Sequence, residues 1–405
     1  MKFTQKLRFA IFMLSILTSF HCGSKDKDRA TENINALDRY VRYIENTQTD
    51  PVDYIMGLFE KVDLVILCER GHPEITQYDL IYRIVSDSRF TDNVGHVFTE
   101  IGTSTRAEDI DRYLKPGIYS DIDAEDKLLF IYRNLVFHPV WNNINFFEFL
   151  KKLRQLNTSL PEKRQIELHF SDMPFDWEGM TEDKYRAFQD TLPQRDRIIA
   201  EQIINEFSGI QHSRQSRKKA LVIMNYRHAF NDQFEKPGGK KGENVGRYLF
   251  EAFPESTANV MFNSVRVMLG STDQNVIMAP IQDGKWDAAF AVAGNPSIGF
   301  DLESTPFGQD EFDFYPVRQE GLTYQDVFTG FIFYKPLKEH KYLFGIPALF
   351  EDGFGDTAAE RFLLTGMSIQ EAQRIVEESR RPRESRYDNI EELEQDIQKW
   401  IDPIR

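Results

Sequence analysis

Runs of apolar residues alternate with amphipathic stretches through the first 270 residues of the chain. Segments rich in consecutive apolar side chains are typical of strands buried on both faces of a parallel sheet. Four such segments lie at 62–68, 94–101, 165–171 and 219–225. Between them, apolar side chains recur at helical spacing over 74–87, over 105–157 with breaks near Pro116 and Pro139, and over 183–208 with a break at Pro193. The alternation predicts an α/β fold in which a central, mostly parallel mixed sheet is surrounded by helices.

The remainder of the chain adds further elements to this sheet. The patterns predict a leading helix over 31–47, a short helix over 244–253, strands over 257–269 and 329–334, and C-terminal helices over 368–380 and 390–401. The long helical stretch 105–157 counts as an insertion into the strand–helix alternation. Loops rich in Gly and Pro are predicted at 236–242 and 294–308, and neither loop divides the chain into separate domains.

The amino terminus has the pattern of an export signal. Basic residues at Lys2, Lys6 and Arg8 precede an apolar stretch over 9–20, which is too short to span a bilayer core of about 30 Å. Cys22 follows, and then a polar run, an order that resembles a bacterial lipoprotein signal with lipid on Cys22. A plain secretory signal is the alternative. Either interpretation predicts an exported protein, periplasmic or membrane-anchored, with a signal at 1–22, a polar tether and leading helix at 23–50, and one α/β domain over 51–405.

Composition excludes several classes of partner. The chain has 49 basic and 64 acidic residues and a formal net charge of −15, which argues against binding to nucleic acid or to an anionic membrane surface. Contact with a membrane is therefore expected only through a lipid on Cys22. The two cysteines rule out a disulfide framework and a Cys₄ metal site, and Cys68 is expected to be a buried free thiol. A small molecule or a peptide is the expected substrate.

The candidate chemistry lies where the predicted strands end. Glu69 and His72 follow the first strand, Glu100 ends the second, Asp172 ends the third, and Asn225 and His228 follow the fourth. Because parallel strands end at one edge of a sheet, these side chains are expected to converge on one pocket. Glu69, His72, Glu100 and His228 are the predicted catalytic residues.

Each of these residues also has a purely structural interpretation. Glu69 would cap the helix that follows it, Glu100 would pair with Arg106 at the surface, and His228 would be a hydrogen-bonded structural residue. The remaining histidines stand outside the strand-end pattern and are expected to be structural or exposed; they are His21, His96, His138, His169, His212 and His340.

Five segments, taken in order, resemble the erythromycin esterase-like and ChaN-like superfamily. The run from Leu67 to His72 is similar to the opening "GE-x-x-H" signature, and Glu100 matches the second acidic position. The segments 195–201, 219–229 and 324–333 resemble the "R-D-x-x-M-A-E" helix, the strand ending in "N-x-H" and the late "D-x-F-D-x-x-I" strand. Cys68 replaces the usual Gly before the glutamate, Arg70 occupies a place that is commonly small, and Asn225 stands where a second His is frequent.

The resemblance implies a hydrolase, or a site linked to a metal or haem, at the edge of the sheet. In the hydrolase interpretation His72 is a general base for water attack on an ester or related bond, and Glu69 or Glu100 orients it. His228 then holds or protonates the reacting group, and Arg195 offsets charge on the oxyanion. Asp172, Arg195, Glu74 and Asn225 are the expected substrate-binding residues.

Two other functions remain open at this stage. Glu69, His72, Glu100 and His228 are residue types that bind Zn²⁺, Mn²⁺ or iron, which predicts a metal-dependent hydrolase or protease, and haem is a further cofactor that the resemblance implies. No cofactor follows from the sequence alone. The replacements at Arg70 and Asn225 instead suggest a non-catalytic exported binding protein, and an ion pair from Arg70 to Glu69 or Glu100 would favour that function.

Overall fold

The computed structural model describes residues 36–235, 241–269, 276–316 and 319–404. The predicted signal at 1–22 with Cys22, residues 23–35 of the predicted tether and leading helix, and residues 236–240 of the predicted loop 236–242 lie outside the described residues. Among the described helices, none combines the length and the apolar character that crossing a membrane requires.

The described elements are labelled in chain order. Strands β1 to β11 span Leu64–Glu69, His96–Thr103, Glu167–Asp172, Ala220–Asn225, Thr257–Phe262, Val265–Leu269, Val276–Pro280, Ile298–Asp301, Gly330–Phe333, Tyr342–Phe344 and Arg383–Ser385. Helices α1 to α15 span 36–46, Pro51–Lys61, Ile75–Ser86, Ser88–Asn93, Ala107–Leu114, Asp121–Arg133, Ile144–Ser159, Glu182–Gln189, Arg195–His212, Val245–Ala252, Lys285–Val292, Tyr324–Val327, Phe354–Leu364, Ile369–Arg380 and Ile390–Ile401.

Seven strands form one central sheet in the order β3-β2-β4-β1-β5-β9-β8. All neighbouring strands in it are parallel except β8 and β9, which are antiparallel. Short antiparallel pairs form between β6 and β7 and between β10 and β11. The predicted fold class, a mostly parallel mixed sheet within helices and with helices at the C-terminal end, is therefore confirmed.

Burial on both faces explains why β1 is an unbroken apolar run. Val65 and Leu67 pack into the core on one side of the sheet, and Ile66 and Cys68 pack into the core on the other. Because neither face meets water, there is no polar alternation along the strand. Cys68 is a free thiol, as expected, and burial raises its pKa.

Helix α3 begins with a side-chain cap that comes from Glu74. Its carboxylate accepts hydrogen bonds from the backbone N–H groups of Thr76 and Gln77 at 2.8 and 3.0 Å. This satisfies donors that the first turn of a helix leaves free. Glu74, rather than Glu69, therefore fills the capping position, and Glu69 is free for another role.

The second half of the sheet differs from the sequence prediction. The strand predicted over 257–269 is two strands, since β5 belongs to the central sheet and β6 pairs with β7 in a separate sheet. The predicted loop 294–308 contains β8. A side chain at Gly299 in β8 would collide with the ring of Tyr54, so the close packing of α2 on this strand requires glycine there.

Candidate active site

The carboxyl ends of four parallel strands meet at one edge of the sheet. Adjacent strands β3, β2, β4 and β1 end there, and they carry Asp172, Glu100, Asn225 and Glu69. Glu69 and Asn225 are direct neighbours in the ladder between β1 and β4. The structure thus places four of the residues singled out in the sequence on one edge.

His72 lies against Glu69, which precedes it by three residues. Nδ1 of His72 is 2.9 Å from Oε2 of Glu69, which is a hydrogen bond. The carboxylate is buried with 1% of its side chain exposed, whereas 25% of the imidazole is exposed. The carboxylate therefore fixes the ring from inside the protein, and the ring reaches solvent.

Glu100 faces two imidazoles. Its Oε1 lies 3.4 Å from Nε2 of His72, and its Oε2 lies 3.5 Å from Nε2 of His228. The backbone N–H of Asn225 donates to Oε1 at 2.8 Å. The alternative pairing of Glu100 with Arg106 does not occur, because Arg106 bonds to Asp109 and Asp176.

Asp196 holds His228 from the other side of that ring. Nδ1 of His228 is 2.9 Å from Oδ1 of Asp196, at the start of α9. The sequence pattern did not indicate Asp196, although this residue directly follows Arg195 in the segment 195–201. The signal that could have found it is a carboxylate in the first turn of the helix that packs beside the strand ends.

The two histidines have the same arrangement of partners. Each presents Nδ1 to a carboxylate, Glu69 or Asp196, and each presents Nε2 to Glu100. When Nδ1 carries the proton, Nε2 of a neutral ring has a lone pair that faces a carboxylate oxygen. The electron pairs of the nitrogen and the oxygen then repel each other. A proton, a water molecule or a cation between the two atoms would remove this repulsion.

The charges at the site shift the protonation of its members. Burial by itself lowers the pKa of His72, but the carboxylates of Glu69 and Glu100 outweigh it, and the net pKa is raised. Burial by itself raises the pKa of Glu100, but His228, His72 and Arg195 outweigh it, and the net pKa is lowered. Each group therefore favours the charged form of the other, as in an ion pair between an imidazolium and a carboxylate.

Arg195 and Asp172 form a forked ion pair next to this cluster. Nε and Nη2 of Arg195 donate to Oδ1 and Oδ2 of Asp172 at 2.8 and 3.1 Å. Asp172 is buried, and Arg195 keeps 21% of its side chain exposed. Burial opposes the charge of Arg195, but Asp172 and Glu100 raise its pKa, so a fixed cation stands beside the histidines.

Glu74 and Arg70 lie away from the cluster. Their side chains are fully buried and form an ion pair at 2.9 Å, and Arg70 also donates to Asn263 and to the backbone oxygen of Tyr334. Arg70 reaches the site only through its backbone oxygen, which accepts from Nδ2 of Asn225 at 2.6 Å. The structure therefore does not bring Glu74 to the predicted pocket, because Arg70 and the α3 cap occupy its carboxylate.

Residues of the helical insertion form one wall of the site. The ring of Trp141 meets that of His72 edge to face at 5.3 Å between centroids, and His138 stacks on Trp141. Asn145 in α7 donates to the backbone oxygen of His72. No sequence pattern indicates Trp141 or Asn145, because only the fold brings the insertion over the strand ends.

A cavity of about 630 Å³ opens beside His228 and Asp196. Its described lining also includes the aromatic rings of Phe230, Phe234 and Tyr315 and charged side chains of both signs. A space of this size fits a small organic substrate.

Three of the strand-end residues lie close enough together to bind one metal ion. Glu69, His72 and Glu100 each offer a ligand atom, and these atoms lie within 4.8 Å of one another. Carboxylate and imidazole donors suit Zn²⁺ or Mn²⁺, so these three residues fit an ion, whereas His228 does not join the group at that spacing. Haem does not fit, because Glu100 lies within 3.5 Å of Nε2 of both histidines, where the iron and its ring would have to be.

Solved structures resemble the chain in fold. A succinoglycan biosynthesis protein matches with a TM-score of 0.50 and 8% identity over 74% of this chain and 96% of its own. An erythromycin esterase mutant, EreC, in its open conformation matches with a TM-score of 0.47 and 11% identity over 71% and 96% of the two chains. A protein from Bacillus cereus matches with a TM-score of 0.44 and 11% identity over 73% and 97%.

Comparisons at the level of sequence find no match to this chain. No family model matches the chain, and no curated protein matches it. The match to the succinoglycan biosynthesis protein shows that the two chains share an α/β fold. At identities of 8 to 11% the likeness extends to the fold alone.

Proposed function

We propose that the chain is a hydrolase that activates water with His72 for attack on an ester or related bond. The observation that carries the proposal is the position of His72, a partly exposed imidazole between the buried carboxylates of Glu69 and Glu100. A carboxylate at Nδ1 fixes the tautomer that leaves Nε2 free to accept a proton.

The residues then have separate roles in the reaction. Nε2 of neutral His72 takes a proton from water while the water oxygen bonds to the carbonyl carbon, and the carbonyl electrons move to its oxygen. Arg195, fixed by Asp172, offsets that negative charge. As the carbonyl re-forms, the bond to the leaving oxygen breaks, and protonated His228, held by Asp196, donates a proton to that oxygen.

The position of Arg70 supports catalysis over simple binding. An Arg70 side chain paired with Glu69 or Glu100 would have occupied the carboxylates and blocked the histidines. Arg70 instead pairs with Glu74 inside the protein, and the strand-end carboxylates face imidazoles. The side chain of Asn225 donates to the backbone oxygen of Arg70, and so it does not occupy the carboxylates either.

Hydrolysis of a panel of esters and related bonds tests this proposal. We expect His72→Ala to lower kcat/KM by about 10² to 10⁴-fold, the usual contribution of a general base. His212→Ala is the matched control, because His212 is an exposed histidine at the end of α9. Equal activity of the wild type and His72→Ala on every substrate that is turned over would refute the role of His72.

A metal-dependent hydrolase is the second candidate. It is favoured by the three clustered donors and by two buried oxygens, Oε1 of Glu69 and Oε2 of Glu100, that have no hydrogen-bond partner among the described residues. When bound, an ion would lower the pKa of a water molecule and polarise the carbonyl. Protein purified without chelator should then hold one divalent ion that His72→Ala loses together with activity, and activity that survives removal of all metal would exclude this candidate.

Export of the enzyme stays a proposal that rests on the sequence of residues 1–22. Fractionation of cells that produce the full chain, with Cys22→Ser as the comparison, would separate a lipid-anchored protein from a secreted one. Membrane association that depends on Cys22 is the outcome expected for a lipoprotein.

A further inference from the structure

A second pair of histidines lies at the opposite end of β2 from Glu100. His96 begins β2, and His169 lies in β3, the edge strand beside it. Nδ1 of His96 is 3.2 Å from Nε2 of His169, and it is 3.8 Å from Oε2 of Glu167. Glu167 is the ladder partner of His96, so the pairing of the two strands itself brings these groups together.

The surroundings of this cluster are partly apolar and fixed. The side chain of His96 has no exposed surface, and 19% of His169 and 41% of Glu167 are exposed. The ring of His169 stacks on Phe98 with 4.4 Å between centroids and 19° between planes. The two imidazoles are therefore held in place, while the carboxylate keeps the cluster open to solvent.

We propose that His96, His169 and Glu167 form a binding site for a divalent transition-metal ion, with Zn²⁺ as the preferred ion. Three donor atoms, one from each residue, lie within 4.8 Å of one another. Tetrahedral Zn²⁺ with bonds of about 2.0–2.1 Å needs ligand atoms about 3.3–3.4 Å apart, close to the 3.2 and 3.8 Å observed. Two imidazoles and one carboxylate are a ligand set that Zn²⁺ accepts, with a fourth position left for water.

The outer atoms of His169 and Glu167 have the partners that a metal site requires, whereas Nε2 of His96 is buried with no hydrogen-bond partner among the described residues. Nδ1 of His169 lies 3.1 Å from Oε2 of Glu206 in α9, which directs the lone pair of Nε2 towards His96. Arg217 bonds to Oε1 of Glu167 at 3.1 Å and leaves Oε2 free. Carboxylates that hold the outer nitrogen of a ligating histidine fix its tautomer and raise its basicity.

Charged groups of both signs surround the cluster. Glu167 and Glu206 carry negative charge, and Arg217 and Lys218 carry positive charge nearby. Lys218 bonds to the backbone oxygens of Ile210 and Ser213, and Arg217 is paired with Glu167. Lys218 is thus engaged outside the cluster, whereas Arg217 pairs with Glu167 through Oε1, the oxygen that the proposed ion does not use.

Zinc binding to the full chain, measured by equilibrium dialysis and elemental analysis with ZnCl₂ alone as the probe, tests the site. We expect one ion that is bound by the wild type, by His72→Ala and by His212→Ala, and that is lost in His169→Ala and in Glu167→Gln. His72→Ala separates this site from the strand-end residues, so the result does not depend on the proposed function. If His169→Ala does not fold, Glu167→Gln still tests zinc binding at this site, because it changes a side chain that is half-exposed.

Two further readouts make the assignment specific. Glu206→Gln should weaken zinc affinity by about 10- to 100-fold without changing the stoichiometry, because Glu206 orients a ligand and does not bind the ion. Co²⁺ in place of Zn²⁺ should give a visible absorption spectrum that His169→Ala lacks. Absence of zinc from His72→Ala, or a zinc stoichiometry that neither His169→Ala nor Glu167→Gln lowers, would overturn the proposal and leave a metal-free histidine pair.

Discussion

His72 and His228 direct their Nε2 atoms at different oxygens of one buried carboxylate, that of Glu100, at 3.4 and 3.5 Å. Each ring is fixed at Nδ1 by a carboxylate of its own. Both rings therefore face one shared anion, and a change in the charge of Glu100 acts on both of them. A site with this arrangement can hold one proton for donation while the second ring accepts another.

Glu100→Gln should shift the acid limb of the pH–rate profile to lower pH. The carboxylate of Glu100 contributes to the raised pKa of His72, so its removal lets burial lower that pKa. His72 would then be neutral over a wider range of pH, although the maximal rate should fall because the imidazolium loses a stabilising charge. Profiles of kcat/KM for the wild type and the variant measure this, and identical acid limbs would show that Glu100 does not act on His72.

The stability of the protein should depend on the protonation of His72. Its pKa in the folded state lies above the ordinary value of 6.5, so its stabilising contribution is fully present below about pH 6.5 and is lost as the pH rises through the folded-state value. Urea unfolding of the wild type and His72→Gln at several pH values measures the effect. The difference in unfolding free energy should shrink from pH 6 upwards, and a difference that grows would contradict the sign.

Asp196→Asn should impair catalysis without unfolding the protein. An amide at this position no longer stabilises protonated His228 and permits the wrong tautomer, which lowers kcat by up to about 10⁴-fold in comparable sites. Asp190→Asn is the matched control, since Asp190 is an exposed aspartate just before α9. Loss of activity in the control as well would point to a general effect on this segment.

Glu74→Gln should destabilise the fold more than it changes the chemistry. The variant leaves the fully buried guanidinium of Arg70 without its anionic partner, which costs about 3–5 kcal/mol. Glu339→Gln removes an exposed pair with Lys335, and it should cost about 1 kcal/mol or less. Chemical denaturation of both variants gives the comparison, and equal costs would mean that the Arg70 pair contributes no more than a surface pair.

The first half of the sheet was predictable because its strands are buried on both faces. The unbroken apolar run of β1 marks such a strand, and parallel strands end at one edge, so the amino-acid pattern alone is enough to place Glu69 and Glu100 together. Histidines that follow those strands could be added on the same reasoning.

The remaining elements of the fold and the remaining site residues depend on tertiary contacts that no local sequence pattern encodes. Helix α11 is apolar around much of its surface, with Trp286, Ala288 and Phe290 all buried, so it shows no clear helical periodicity. Strand β8 is short and contains Gly299, whose place is set by Tyr54. Asp196 and Trp141 belong to the site only because α9 and the helical insertion pack over the strand ends.

Helix α9 is long enough to reach both the carboxyl ends and the opposite ends of the neighbouring strands. Its first turn supplies Asp196 to His228, and Glu206 lies about 15 Å further along the axis, against His169. The span from His96 to Glu100 in β2 is about 13 Å, so helix and strand run side by side over nearly the same distance. An extra residue in this part of α9 would rotate Glu206 by about 100° together with buried Phe207. An insertion in α9 that keeps Asp196 on His228 and Glu206 on His169 would therefore have to be close to a whole helical turn.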